Sequence, residues 1–125
     1  MDFMIIIKTH LLDLNTIIAL RGQRNHGFAY GREKKAIQEA IYWELKAQKK
    51  PKFNQPQDFI FHWYCKNKKK DKDNISSGGR KLIFDAMVMA KWLPNDGWTE
   101  IGDWEDEFSI DKDDPRVEIV LVDHI

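Results

Sequence analysis

Two carboxylates, Asp71 and Asp73, stand two residues apart inside a lysine run, Lys68-Lys69-Lys70-Asp71-Lys72-Asp73-Asn74. A third, Asp96, returns in Asn95-Asp96, just after the apolar segment that follows. Acidic side chains embedded in basic surroundings are what metal-dependent hydrolysis of a phosphodiester needs. The lysines draw in the phosphate backbone, and the carboxylates hold the divalent ion. If Asp71 and Asp73 continue a strand, their side chains share one face, about 7 Å apart. Like charges that close repel, and a cation between them favours ionisation of both. Hard oxygen donors select Mg²⁺ or Mn²⁺ rather than zinc. Lys81, which opens the next apolar-periodic segment, is placed to offset charge on a phosphorane-like transition state or on the leaving oxygen. The plain alternative is a turn, because Asp-x-Asp-Asn suits short polar side chains that bond their own backbone. A calcium loop of the EF-hand type is excluded. Counting from Asp71, its fifth, sixth and twelfth positions would be Ile75, Ser76 and Leu82, where oxygen donors and a glycine are required.

Other chemistries find less support. His10, His26, His62 and His124 show no metal-ligand spacing, and His62 reads as a core or edge residue of an apolar strand. Cys65 has no adjacent partner that would make it a nucleophile, so a buried structural thiol is expected. The five tryptophans offer stacking surfaces for bases, but most are expected in the core, with Trp98 and Trp104 in the acidic segment harder to place. There is no glycine-rich phosphate loop and no Ser-His-Asp pattern.

The elements that must position these residues follow from periodicity. Met4 to Lys8 is a β-branched strand. Gly22 to Gly31 is loop-like and carries Arg21, Arg24, His26 and Arg32 in or beside it. Arg32 to Gln48 is helical, with Ala36, Ile37, Ala40, Ile41 and Ala47 or Leu45 near the 3.6 period and lysines opposite. Lys49 to Gln57, with Pro51 and Pro56, is a connector. Asp58 to Cys65 is a strand apolar on both faces, hence central in a sheet. Ser76-Ser77-Gly78-Gly79 reads as a turn, and the next helix runs from about Gly79 to Trp92 and is stopped by Pro94. Ile101 to Ile110 alternates imperfectly, and Val117 to Val122 is a last strand. The expectation is an α+β domain over residues 1–125, a small mixed β-sheet with two principal helices in the order β-α-β-α-β-β.

The 125 residues suit one domain, and 42% hydrophobic residues suffice for a core. No apolar run approaches the roughly 18–20 residues of a membrane span, and Met4 to Ile7 is too short for a signal peptide. The lone Cys65 excludes an internal disulfide and suggests a reducing, intracellular setting. The zero net charge conceals an asymmetry. Residues 1–95 carry 18 Lys/Arg against 9 Asp/Glu, and residues 96–125 carry 2 against 11. That distribution favours a basic face. Arg21, Arg24, Arg32, Lys35, Lys68, Lys69 and Lys70 are the expected phosphate contacts, which position a nucleic acid rather than read its sequence. The acidic run from Asp103 to Asp114 reads as a solvated edge or loop.

Asp71-x-Asp73-Asn74, Lys81, Phe84-Asp85-Ala86-Met87 and Leu93-Pro94-Asn95-Asp96 together resemble the RusA family of Holliday junction resolvases, common in phages and prophages. Leu14-Asn15, the arginine-containing loop before the first helix, and Asp113 to Glu118 leading into a strand are also similar, so the likeness covers most of the chain. The resemblance implies a RusA-like fold, with Asp71, Asp73 and Asp96 as metal-binding catalytic carboxylates and Lys81 as the essential lysine. Ser76 to Gly79 lengthens the interval before that lysine relative to shorter members, which makes Arg80 a rival. Asp85, at i, i+4 from Lys81, reads as orienting the lysine or the helix. The resemblance further implies a homodimer that resolves four-way DNA junctions by paired nicks with Mg²⁺, for which Mn²⁺ substitutes. It implies no small-molecule cofactor, no membrane, and the cytoplasm of a bacterial or phage-infected host cell. A helix from Gly79 to Trp92 is roughly 20 Å long. Asp96 therefore meets the other two aspartates only if the turn at Ser76 to Gly79 folds the chain back, or if the dimer partner supplies it. Two other readings compete. One is a non-catalytic protein that binds branched or single-stranded DNA; the other is an adaptor of a phage genome in which the lysine run is a solvated turn.

Overall fold

The computed structural model of the chain describes residues 4–9 and 26–124, and for residues 26–30 the backbone alone. Its elements are β1 (Met4–Ile7), α1 (His26–Lys46), β2 (Gln57–Cys65), α2 (Lys72–Met89), β3 (Ile101–Ile110) and β4 (Arg116–Val122). The fold is α+β in the order expected, a four-stranded mixed sheet with two helices. The strand order is β1-β4-β2-β3. β4 runs antiparallel to both β1 and β2, while β2 and β3 are parallel and joined through α2. A parallel pair needs such a crossover, because a tight hairpin cannot reverse the chain twice.

Alternation builds the core. Phe59, Phe61 and Trp63 of β2, Val117, Ile119 and Leu121 of β4, and Ile5 and Ile7 of β1 are buried in one cluster with residues of both helices. From α1 come Ile37, Ile41 and Leu45; from α2 come Leu82, Ile83, Phe84, Ala86 and Met87. The Phe84 ring sits 5.3 Å from that of Phe59 and 5.7 Å from that of Phe61, tying α2 to the central strand. β2 lies inside the sheet, as its apolar content requires. Both edges are blunted. Gln48, just past the end of α1, bonds the backbone of Ile6 in both directions, at 2.9 and 2.7 Å, which satisfies groups that β1 would otherwise expose. β3 forms the other edge and leaves Asp103, Glu105 and Glu107 exposed, in keeping with a solvated acidic edge.

Three local expectations are corrected. Residues 26–31 are helical rather than loop, so α1 starts earlier than Arg32. Gly31 faces open space with nothing within 4 Å of a built Cβ, so the glycine marks a solvent-facing position and not a break. Ser76 to Gly79 is likewise helix, not turn. The Ser76 hydroxyl donates to the Lys72 carbonyl at 3.1 Å and the Ser77 hydroxyl to the Asp73 carbonyl at 2.6 Å, so both serines satisfy themselves within the helix. Ser76, Gly78 and Gly79 are buried, and packing offsets the roughly 1 kcal/mol that each glycine costs a helix. Finally, α2 ends at Met89, before Pro94 acts. Lys91 takes the left-handed conformation at φ 60°, Trp92 N–H donates to the Met87 carbonyl at 2.9 Å, and Lys91 N–H donates to the Val88 carbonyl at 3.0 Å. This is a Schellman cap.

Candidate active site on helix α2

Asp71 is the N-cap of α2 in an extended conformation, and its side chain makes no capping bond. Asp73 lies in the first turn. The strand geometry expected for this pair is therefore replaced by a helix start, because β2 ends at Cys65 and residues 66–71 intervene. Both carboxylates are exposed, and neither has a side-chain hydrogen bond or ion pair among the described residues. A helix N-terminus favours negative charge by about 0.3–1 kcal/mol. That suits two aspartates with or without a metal. The location has a second property: it is the carboxyl end of a parallel strand leading into a helix, where α/β folds gather anionic ligands.

Lys81 lies eight residues beyond Asp73, about 12 Å along the axis. Its ammonium meets Asp85 Oδ1 at 3.0 Å and Asp96 Oδ2 at 3.2 Å. Asp85 is held from the other side by Gln38 of α1, whose amide donates to Oδ2 at 3.0 Å. Asp85 thus orients the lysine, as its spacing suggested, and Gln38 is a further member that nothing in the sequence marked. The Asp85 hydrogen bond, opposed by partial burial and reinforced by Asp96, raises the Lys81 pKa above its ordinary 10.5. The lysine is a permanent cation at any working pH.

Asp96 reaches Lys81 because the Schellman cap reverses the chain and residues 92–96 run back along α2. The return is thus made after the helix and not by a turn within it. The Asp96 N–H donates to Asn95 Oδ1 at 2.9 Å, which fixes the local bend.

The rival Arg80 is committed elsewhere. Its guanidinium donates to both oxygens of Asp106 on β3, at 2.9 and 2.7 Å, and stacks 4.7 Å from the Trp104 ring. Asp106 also accepts from the Trp63 indole at 2.9 Å. Arg80 braces α2 against β3 while its neighbour Lys81 faces solvent.

Of the expected phosphate contacts, Arg32 and Lys35 are exposed on α1, and Lys68, Lys69 and Lys70 are exposed between β2 and α2. Arg21 and Arg24 lie outside the described residues, as do Leu14, Asn15 and His10. His62 is half-buried, stacked 4.1 Å from Tyr64, with Nε2 2.7 Å from the Ser109 hydroxyl. Cys65 is half-buried rather than fully so. Of the tryptophans, Trp63 and Trp92 are core, but Trp43 and Trp104 are exposed and Trp98 is 98% exposed, so the expectation that most are buried fails.

The three aspartates do not form one ligand cluster. Among the described residues, the single group of three His, Cys, Asp or Glu donors lying within 4.8 Å of one another is Asp58, Asp103 and His124. Its parts are ordinary tertiary contacts. His124 Nδ1 is 2.7 Å from Asp58 Oδ1, and that oxygen also accepts from Asp103 N–H at 2.8 Å. No local pattern marks this group, since Asp58 and His124 are 66 residues apart and are joined by the pairing of Asp58 with Val122. As a hard-cation site, the α2 residues fit in kind; Asp71 and Asp73 are both exposed at the start of α2, where residues two apart do not share a helix face, and Asp96 is held by Lys81. None of the described helices is long and apolar enough to cross a membrane. In comparison with known proteins, no family model and no curated protein matches the chain.

Proposed function

We propose that the chain is a metal-dependent, structure-selective DNA endonuclease of the RusA type, acting as a homodimer that resolves four-way junctions by paired nicks. The observation that carries this reading is the meeting of Lys81 with Asp96. It sets a cation and a carboxylate together on the exposed surface of the helix whose N-cap is Asp71 and whose first turn carries Asp73. Asp71 and Asp73 are the residues that would hold Mg²⁺ or Mn²⁺. Such an ion, when bound, supplies an activated water and neutralises phosphate charge. The protein's own residues supply the rest. Lys68 to Lys70 attract the backbone at the start of α2, Arg32 and Lys35 extend the basic surface along α1, and Lys81 stands ready for charge that develops on a phosphate oxygen. Two cuts in strands of like polarity suit a two-fold dimer with one site per chain.

A second reading has an observation of its own. Asp71, Asp73 and Asp96 do not converge within the chain, which favours a protein that holds branched or single-stranded DNA without cutting it. The two readings separate in one experiment with a labelled four-way junction and a linear duplex in Mg²⁺, Mn²⁺ and EDTA. Paired nicks confined to the junction and to the metal support the endonuclease. Tight junction binding with no cutting in any condition supports the binder.

A further inference from the structure

We infer that Gln38 of α1 is a positioning residue for Lys81: it makes Asp85 the lasting partner of that lysine and leaves Asp96 as the partner that an incoming phosphate displaces. The first half stands on geometry alone, and the second rests on the DNA reading above. Lys81 has two carboxylate partners at nearly equal distance, Asp85 at 3.0 Å and Asp96 at 3.2 Å. Their side chains are also equally shielded, at 24% and 25% exposed, so neither distance nor burial ranks them. Taken alone, the Asp85 pair is weak. An exposed i, i+4 ion pair is worth less than thermal energy, and here the lysine stands on the N-terminal side of the acid, which is the poorer orientation.

A second bond separates the two acids. The Gln38 amide donates to Asp85 Oδ2 at 3.0 Å while Lys81 takes Oδ1, so both oxygens are engaged and the plane of the carboxylate is fixed. Gln38 is delivered by a helix that cannot turn away, since Ile37 and Ile41 beside it are buried in the core. Among the described residues, the Asp96 carboxylate has no partner but Lys81; only its backbone N–H is held, by Asn95. The raised pKa of Lys81 follows the same order, with the Asp85 hydrogen bond a larger cause than that of Asp96. A lysine has much rotamer freedom to lose. A fixed acceptor removes that freedom in advance and sets the ammonium in place before charge develops near it. A phosphate oxygen reaching the ammonium repels both carboxylates alike, and the one bonded only to Lys81 gives way.

The test is the order of the Lys81 ε-methylene, from ¹³C relaxation of lysine-labelled protein without DNA or metal, its signal identified by its absence from Lys81→Met. Lys81 should keep its order in Asp96→Asn and lose most of it in Gln38→Met, which matches glutamine in length and has no donor. Equal order in wild type and Gln38→Met overturns the inference. Loss of order in Asp96→Asn overturns it too, and that surface variant decides even where Gln38→Met does not fold. On adding a four-way junction in EDTA, the ¹³Cγ resonance of Asp96 should shift and that of Asp85 should stay. A shift of Asp85 with Asp96 unmoved contradicts the displacement. In Mg²⁺, Gln38→Met should slow single-turnover cleavage by about tenfold while junction affinity in EDTA changes by less than about threefold. An unchanged rate would remove Gln38 from the reaction. If wild type neither binds nor cuts the junction, the DNA reading falls, and the relaxation measurement still decides whether Gln38 positions Lys81.

Discussion

Lys81 and Asp96, fifteen residues apart, meet at 3.2 Å because the chain caps α2 and runs back along it. The pair is surface chemistry more than structural cement. The Lys81 side chain is 63% exposed, so replacing Lys81 by Met should change stability by about 0.5 kcal/mol or less. Its effect on junction cleavage should be far larger, about 10²–10³-fold in rate, as for loss of one preorganised charge-stabilising group. Thermal melts beside single-turnover cleavage check this. The folded pKa is raised above 10.5, so the proton stays on below that value and is lost only as pH rises through the folded one. Between about pH 6 and 9, the rate should therefore show no falling limb due to Lys81.

Arg80 should behave in the opposite way. Its pair with Asp106 is mostly shielded, with side-chain exposures of 15% and 20%, and Asp106 also holds the Trp63 indole. Asp106→Ala should destabilise the fold by about 2–3 kcal/mol, read from denaturant midpoints. Cleavage per folded molecule should be little changed. A large catalytic loss without destabilisation would transfer to Arg80 the charge-stabilising role assigned to Lys81.

The cap that turns the chain back carries strain that a glycine would relieve. Lys91 sits at φ 60°, where a side chain costs about 1–2 kcal/mol. Part of that gain is offset by the greater freedom of glycine in the unfolded chain. Lys91→Gly should therefore raise stability by about 0.5–1 kcal/mol, measured by urea denaturation. Destabilisation would mean that the return does not pass through a left-handed residue.

Acid should loosen both ends of the sheet, since Asp58 pairs with Val122 at one end of β4 and Asp111 holds Arg116 at the other. The Asp103 N–H, aided by His124, holds the Asp58 carboxyl below its ordinary 3.8, and the Arg116 guanidinium does the same for Asp111. A carboxyl with a depressed folded pKa contributes stability above its unfolded value and loses it as pH falls through the folded one. Melting temperature should drop as pH falls below about 3.8. The drop should be shallower in Asp58→Asn and Asp111→Asn. Parallel curves for wild type and both variants would exclude these groups.

Much of the fold was legible because local and tertiary preferences agree. The β-branched run at Met4 to Ile7, the aromatic strand ending at Cys65, and the alternation of β4 all appear where the periodicity put them. The start of α2 was not legible. Ser-Ser-Gly-Gly favours a turn when read locally, and only hydroxyl back-bonding and burial inside the fold make it helix. The site divided along the same line. The Lys81–Asp85 contact could be read from its i, i+4 spacing, whereas the shared strand face expected of Asp71 and Asp73 gives way to a helix start. The Lys81–Asp96 contact depends on one left-handed residue, the Gln38–Asp85 bond on how α1 packs on α2, and the Asp58–His124 contact on sheet register. None of these has a local sequence signature. The exposure of Trp98 was equally hidden, since tryptophan content alone does not tell core from surface.

The decisive measurement is single-turnover cleavage of a four-way junction by wild type, Asp73→Asn and Asp96→Asn in Mg²⁺, with junction affinity measured for all three in EDTA. The expected result is paired nicks by wild type, loss of cutting in both variants, and affinities in EDTA that agree within about threefold, or roughly 0.7 kcal/mol. Undiminished cutting by Asp73→Asn would contradict the assignment of the catalytic carboxylates, and equal binding by all three with no cutting by wild type would contradict the nuclease itself.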